Sequence, residues 1–311
     1  MAKSMKNMVL LAAVQTAVDT DPLPTGAANA IQCRALMPKP ISAEFVERNL
    51  TQGYKGNFGS LAVGVHREFE FEVELASSGT PGTAPAWGPL LKACGFSQTI
   101  VATTSVAYAP VSSGEPLLCL YGYIDGVLFK MLNSKGTVSF EMNPKSIPVM
   151  KFRFVGEYSI PTDAPLPSGT DYSKFIQPQT VGRLTTPTLS IHGVNACVSQ
   201  FTFDIANSLV WRDLVNCGGA YSADRKPAGN VTMELTSVAV KNWAETVRTG
   251  AKGALQLVHG VGAGNIVQID APAVQFTGEP SLSDDNGVAM LAAGFSMQPV
   301  AGNDELVITL K

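Results

Sequence analysis

Charge is scarce in this sequence. Lys, Arg, Asp and Glu make up 15% of its 311 residues, against roughly a quarter in an ordinary soluble domain. Lys and Arg number 22 and Asp and Glu 25, a formal net charge of −3, so the basic footprint of a DNA or RNA binder is missing. Histidine is almost absent. His66, His192 and His259 show no HxxxH spacing and no neighbouring Cys or acidic cluster, so they read as structural histidines and not as ligands or bases. The five cysteines, Cys33, Cys94, Cys119, Cys197 and Cys217, are odd in number and never spaced CxxC. That excludes a complete disulfide framework and a zinc site, and five free thiols imply folding in a reducing cytoplasm. No apolar run approaches the roughly 20 residues of a membrane span. Neither GxSxG nor GxxxxGK[ST] occurs, which removes the two commonest signatures of acyl and phosphoryl chemistry. No cofactor, metal ion or catalytic residue is expected.

What remains is apolar and rich in chain-breakers. Hydrophobic residues reach 45%, with 29 Gly and 20 Pro. This is enough for a core, too broken for a helical bundle, and suited to a loop-rich β protein. The length suggests two domains. A surface this poor in charge is expected to be covered by other copies of the chain.

Strand signals dominate. Met8–Val18, after Lys3 and Lys6, resembles a leader peptide but lacks a small-x-small cleavage site, and reads as a strand or arm. Phe69, Phe71, Val73 and Leu75 alternate with Glu68, Glu70, Glu72 and Glu74, a half-buried antiparallel strand. Carboxylates at i and i+2 lie about 7 Å apart on one face, so this row requires water or a partner's Lys and Arg.

Further strands are expected at Leu117–Ile124, Gly126–Leu132, Thr137–Met142 and Val149–Tyr158. In the second half they fall at Thr188–His192, Ala196–Ile205, Asn230–Val238, Ala254–His259, Asn265–Ile269, Ala273–Thr277 and Gly287–Gln298. Asp125-Gly126 marks a tight hairpin, and Asn133–Gly136 reads as the next one. Gly260-x-Gly262-x-Gly264 opens no helix and reads as a hairpin loop; Asp284-Asp285-Asn286-Gly287 reads as a turn and not as a calcium loop. Two helices are expected: Ala84–Ala93, stopping at Gly95, and Ala239–Thr249, stopping at Gly250, with Val240, Trp243, Ala244 and Val247 as one apolar stripe. Trp87 and Trp243 read as their core anchors. The Pro-rich stretch Pro161–Pro178 reads as an interdomain linker.

The halves repeat one order of elements. Val46-Glu-Arg48-Asn-Leu50 matches Val210-Trp-Arg212-Asp-Leu214, Glu74-Leu75-x-Ser77 matches Glu234-Leu235-x-Ser237, Trp87 matches Trp243, and Gly156 and Pro161 match Gly294 and Pro299. Two sheets packed as a sandwich with one flanking helix per copy fit this order. Long polar segments, Ser42–Gly59 and Asn207–Gly229, occupy equivalent places and read as long loops. Their apolar residues need burial, and docking onto a neighbouring subunit satisfies that need. The candidate contact residues are Phe45, Val46, Arg48, Leu50, Tyr54 and Lys55 in the first segment. In the second they are Val210, Trp211, Arg212, Asp213, Leu214 and Tyr221.

Thr25-Gly-Ala-Ala-Asn-Ala-Ile31, Phe45-Val-Glu-Arg-Asn-Leu50 and, most specifically, the run from Glu74 to Phe96 resemble the major tail tube proteins of long, non-contractile-tailed bacteriophages (siphophages). Gly193 to Pro299 resembles the same tube domain again. The resemblance implies a mainly β fold: two tandem β-sandwich domains, each with one flanking helix, contributing strands to an oligomeric β-barrel around a channel. The boundaries would be 1–162 for the first tube domain with an N-terminal arm, 163–184 for the linker and 185–311 for the second domain with a C-terminal strand.

It further implies a structural virion protein and not an enzyme, assembled in the host bacterial cytoplasm and resident in the tail. Its rings would stack into a conduit for DNA ejection, with no membrane insertion and no specific DNA binding. Its partners would be itself, a tape measure protein, and tail terminator and tip proteins. Family rings show six domains, so two per chain give a trimer with pseudo-sixfold symmetry. A hexamer follows instead if one copy per chain lines the channel. The alternatives are a tail-tip or baseplate ring protein, a secretion-system tube subunit, or a carbohydrate-active sandwich built on the Glu68–Glu74 row. The last is disfavoured because glycosidase carboxyls face each other across a cleft.

Overall fold

The computed structural model describes residues 2–311. Its first half contains strands β1 (Met8–Val14), β2 (Ala30–Ile31), β3 (Arg34–Pro38), β4 (Ser42–Glu47), β5 (Ser60–Glu74), β6 (Phe96–Val101), β7 (Ser105–Pro110), β8 (Leu118–Ile124), β9 (Val127–Glu141), β10 (Val149–Tyr158) and β11 (Thr162–Asp163). Helices α1 (Gly26–Asn29) and α2 (Gly88–Ala93) belong to the same half. The second half contains β12 (Thr188–Ile191), β13 (Val194–Asn195), β14 (Val198–Asp204), β15 (Asn207–Leu214), β16 (Cys217–Arg225), β17 (Ala228–Glu234), α3 (Trp243–Thr249), β18 (Lys252–His259), β19 (Val267–Asp285), β20 (Val288–Gln298) and β21 (Val307–Leu310). The chain is a mainly β protein of the sandwich type, as its composition predicts.

Every pairing is antiparallel. In the first half the hydrogen-bonded order is β3–β5–β10–β9–β8–β1–β2. In the second it is β14–β17–β20–β19–β18–β12–β13. The two series run in the same chain order. In each, one long strand serves both layers: β9 pairs with β8 through its first part and with β10 through its last, and β19 does the same with β18 and β20.

Period-two alternation explains the layers. Phe69, Phe71 and Val73 of β5 and Phe152 and Phe154 of β10 are buried together, with the Phe71 and Phe154 rings stacked 5.8 Å apart. The tight turns form where predicted. Asp125 and Gly126 (φ 43° and 89°) join β8 to β9, and Asn286 and Gly287 (φ 55° and 88°) join β19 to β20, the positive-φ pair that two-residue hairpins require. The Gly260–Gly264 segment lies in the loop between β18 and β19.

Helices α2 and α3 are each anchored by a tryptophan at the N-terminal end. Trp87 is 2% exposed and Trp243 4%. The Trp87 indole N–H donates to the Ala76 carbonyl at 2.8 Å, and that of Trp243 to the Thr236 hydroxyl at 2.8 Å. Both acceptors directly follow a leucine that lies one residue past the end of the preceding strand. That leucine is also matched: Leu75 N donates to Pro148 O, and Leu235 N to Ala289 O, both at 2.9 Å.

The two halves join edge to edge. β9 pairs with β14 through Ser139↔Asp204, Phe140↔Phe203 and Glu141↔Thr202, and the Phe140 and Phe203 rings stack 4.5 Å apart. The result is one run of eight strands, β3–β5–β10–β9–β14–β17–β20–β19. On the other layer β21 lies between β19 and β7. One apolar core extends through both halves.

Several expectations need correction. Asn133–Gly136 closes no hairpin and lies inside β9. Asn133 (φ 51°) is held by the distant Gln15 and Asp19: its backbone N–H donates to Gln15 Oε1 at 2.6 Å, and its side-chain oxygen accepts from Asp19 N at 3.0 Å. The two strands expected at Asn265–Ile269 and Ala273–Thr277 are one, β19, with a register shift between Thr277 and Ser281 absorbing Gly278 and Pro280. Helix α2 begins at Gly88 and not at Ala84. On α3 the buried side chains are Trp243 and Thr246; Val240 precedes the helix and is 63% exposed.

Candidate self-association surface

The two segments read as long loops, Ser42–Gly59 and Asn207–Gly229, are hairpin arms. β4 pairs with the first part of β5 in the register Val46↔Leu61. β15 and β16 form a separate two-stranded sheet in the register Val210↔Tyr221. Hairpin pairing satisfies the backbone groups that a bare loop of this length would leave to water.

The structure brings the base of the first arm against the outer part of the second. Gly64 N donates to Asp213 Oδ2 at 3.0 Å, and Trp211 stacks on His66 with ring centroids 5.5 Å apart. The Arg212 guanidinium sits over the Tyr221 ring at 5.6 Å. The remaining candidates stay in solvent. Phe45, Val46, Leu50 and Tyr54 are 66%, 55%, 44% and 67% exposed, and Val210 and Leu214 about half. Arg48 and Lys55 are exposed in the tip between β4 and β5. Residues missed by sequence reasoning are His66, Leu61 and Val63, on the arm-forming part of β5. Their alternation was hidden because both faces of that stretch are open.

The eight-stranded sheet has one packed face and one polar face. On the polar face of the first half Glu68, Glu70 and Glu72 of the glutamate row find counter-charges within the chain. Arg34 reaches Glu72 at 2.9 Å, Lys39 and Arg153 reach Glu68 at 2.8 and 3.1 Å, and Lys151 reaches Glu141 at 2.6 Å. Burial alone would raise the Glu68 carboxyl, but hydrogen bonds and charge from Lys39 and Arg153 outweigh it and hold it below the usual carboxylate range. The corresponding face of the second half presents Gln200, Thr202, Asn230, Thr232, Ser281 and Ser283, with Asp204, Glu234 and Asp285 as its acids. An open concavity on this side is lined by Ser139, Glu141, Lys151, Thr202, Asn230 and Thr277.

The three histidines are hydrogen-bonded structural residues. His66 Nδ1 lies 2.8 Å from Gly64 O, His192 Nε2 2.9 Å from Val274 O, and His259 2.9 Å from Thr186 Oγ1 and 3.1 Å from Gln179 O. All five cysteines are free; burial raises the thiols of Cys33 and Cys119 to about 12, which keeps them protonated. Among the described residues no three His, Cys, Asp or Glu side chains are grouped to hold a metal ion. No helix among them is long and apolar enough to cross a membrane.

The surface combines a β-sandwich with two hairpin arms that carry exposed apolar side chains. The chain belongs to the phage tail tube protein family, which it matches over residues 5–302. No curated protein sequence matches it. Family membership puts it in the virion tail of a bacteriophage as a component that self-assembles into a tube, in a family that is not one of enzymes.

Proposed function

We propose that the chain is the tube subunit of a long, non-contractile tail and carries two copies of the tube domain, bounded at 1–162 and 185–311. The repeated strand order, with its matched Trp anchors and matched Leu75 and Leu235 hydrogen bonds, supports the duplication. The polar face of the eight-stranded sheet lines the channel, because its opposite face is filled by the core. That lining carries more carboxylates than bases, so it repels DNA phosphates and leaves the genome free to slide.

The single observation that carries the reading is the run of eight strands per chain. Strands about 4.8 Å apart, tilted about 40°, give roughly 48 Å across the backbone for three chains and roughly 32 Å for two. After side chains line the wall, only the larger cylinder leaves room for a hydrated duplex roughly 20 Å wide. Three chains per ring, stacked into a conduit for ejection, is the arrangement preferred over a hexamer with one lining copy per chain, because the strands of both copies lie in one continuous sheet and line the channel together. Tape measure and tip or terminator proteins would set its length and ends.

The hairpin arms contact the adjacent subunit or ring through Phe45, Val46, Leu50, Tyr54, Val210 and Leu214, with Arg48 and Arg212 supplying charge. Negative-stain microscopy of concentrated protein should show hollow tubes or rings, and averages down the axis should show threefold symmetry. Arg48→Glu with Arg212→Glu should block stacking while the monomer stays folded. Persistent monodispersity of the native protein, or its restriction to a single ring at the tail tip, would overturn the shaft assignment.

A further inference from the structure

The eight-stranded sheet ends in two unpaired borders, and the seam inside the chain gives the register in which they meet. Glu70 corresponds to Asn230 and Val149 to Met290, counting along the strands from the matched bonds Leu75 N to Pro148 O and Leu235 N to Ala289 O. Met37 faces Glu70 as Thr202 faces Asn230. Ser283 faces Met290 as Glu141 faces Val149. Met37 and Pro38 thus occupy the places of Thr202 and Phe203, and Ser283 and Leu282 those of Glu141 and Phe140. Inside the chain the second pair of places is filled: Phe140 is 1% exposed, while Leu282 is 67% exposed.

Building on the self-association proposed above, we infer that the outer edge of β3 on one copy pairs antiparallel with the Ser281–Asp285 edge of β19 on a second copy, in the register Met37↔Ser283, Pro38↔Leu282 and Lys39↔Ser281.

The edge chemistry fits this register. Lys39 N points inward, donating to Glu68 O at 2.9 Å, so Leu36, Pro38 and Pro40 face outward. Pro38 and Pro40 carry no N–H, which blunts the edge against indiscriminate strand pairing. Their prolines still leave acceptors: Leu282 N reaches Pro38 O, and Asp284 N and Leu36 N exchange bonds with each other's carbonyls. Where Pro40 arrives it meets Pro280, so neither side has an N–H to orphan, and the Pro40 carbonyl is already taken by Arg67 Nη2 at 3.0 Å. Leu282 leaves water against Pro38, as Phe140 does against Phe203. Each copy owns one border of each kind, so the contact is head-to-tail and a ring closes it.

Cross-linking tests the register. In the intact seam Met142 N donates to Phe201 O and Ile205 N to Val138 O, so Glu141↔Thr202, and by correspondence Ser283↔Met37, is a non-hydrogen-bonded pair with close Cβ atoms. Met37→Cys with Ser283→Cys, made where the exposed Cys197 and Cys217 are serine, should oxidise in assembled protein to a covalent ladder ending at the ring size. It should give at least ~10-fold more product than the slipped pair Met37→Cys with Asp285→Cys, because disulfide geometry tolerates no two-residue slip. Both changed sites are exposed, so folding is retained. Rings or tubes with no excess of product over the slipped pair would overturn this seam and leave self-association standing. Protein that forms neither rings nor product would overturn both.

Discussion

The tips of β9 and β19 occupy the same place in the two halves and have opposite fates. Phe140 on the β9 tip is stacked on Phe203 and sealed by the neighbouring half. Leu282 on the β19 tip faces solvent. One strand position, covered in one half and open in the other, separates what a chain supplies for itself from what the proposed seam would draw from a second copy. The polar faces differ in the same sense. The first half carries a zipper of Glu, Lys and Arg, and the second is mostly amide, hydroxyl and small side chains.

The sharpest way to break this comparison is at the matched tryptophans. Trp87→Ala should cost about 4 kcal/mol and Trp243→Ala about 3 kcal/mol in the isolated monomer, since Trp87 lies in the deeper core and α3 exposes more of its surface. Denaturant unfolding measures both, and equal costs would mean that the halves are packed alike. Next come the tips. Phe140→Ala should cost about 3 kcal/mol and Leu282→Ala less than about 0.5 kcal/mol in the monomer; a large monomer effect at Leu282 would mean that its surroundings are already closed.

A smaller effect separates the halves by pH. Burial lowers the pKa of both His192 and His259, with the charge of Lys241 adding to the effect at His192 and their carbonyl hydrogen bonds opposing it. The unfolded chain, with histidine near 6.5, then binds protons before the folded one does. Stability from these residues is present above that value and is lost as pH falls through it. Thermal unfolding followed from pH 7 to 5 should show the second half loosening first, and His259→Gln should flatten the slope. The smallest change is expected from Glu72→Gln, within about 1 kcal/mol, because its pairs with Arg34 and Lys151 are solvent-exposed.

Much of the fold was legible in the sequence where one face of a strand is buried. The Phe and Glu alternation of β5, the Asp-Gly and Asn-Gly turns and the Trp anchors each state their structure locally. The complement to the glutamates was also present, since Lys151 and Arg153 alternate with Phe152 and Phe154 on the adjacent strand, but register is a long-range property. The arms were hidden because residues such as Phe45, Val46 and Leu61 are exposed on both faces, so no period identifies them as strands. Asn133 reads as a turn until Gln15 and Asp19 arrive from more than a hundred residues away. The open borders at Met37 and Ser283 carry no motif; the pairing proposed for them rests on the seam between the halves, which shows what such a border accepts.

Strand β21 has a kinetic consequence. Ile308 meets Tyr108 about two hundred residues earlier in the chain while also meeting Ile269. A contact that distant must wait until the segments on either side have taken shape. On that ground β21 is a late latch between the outer layers of the two halves.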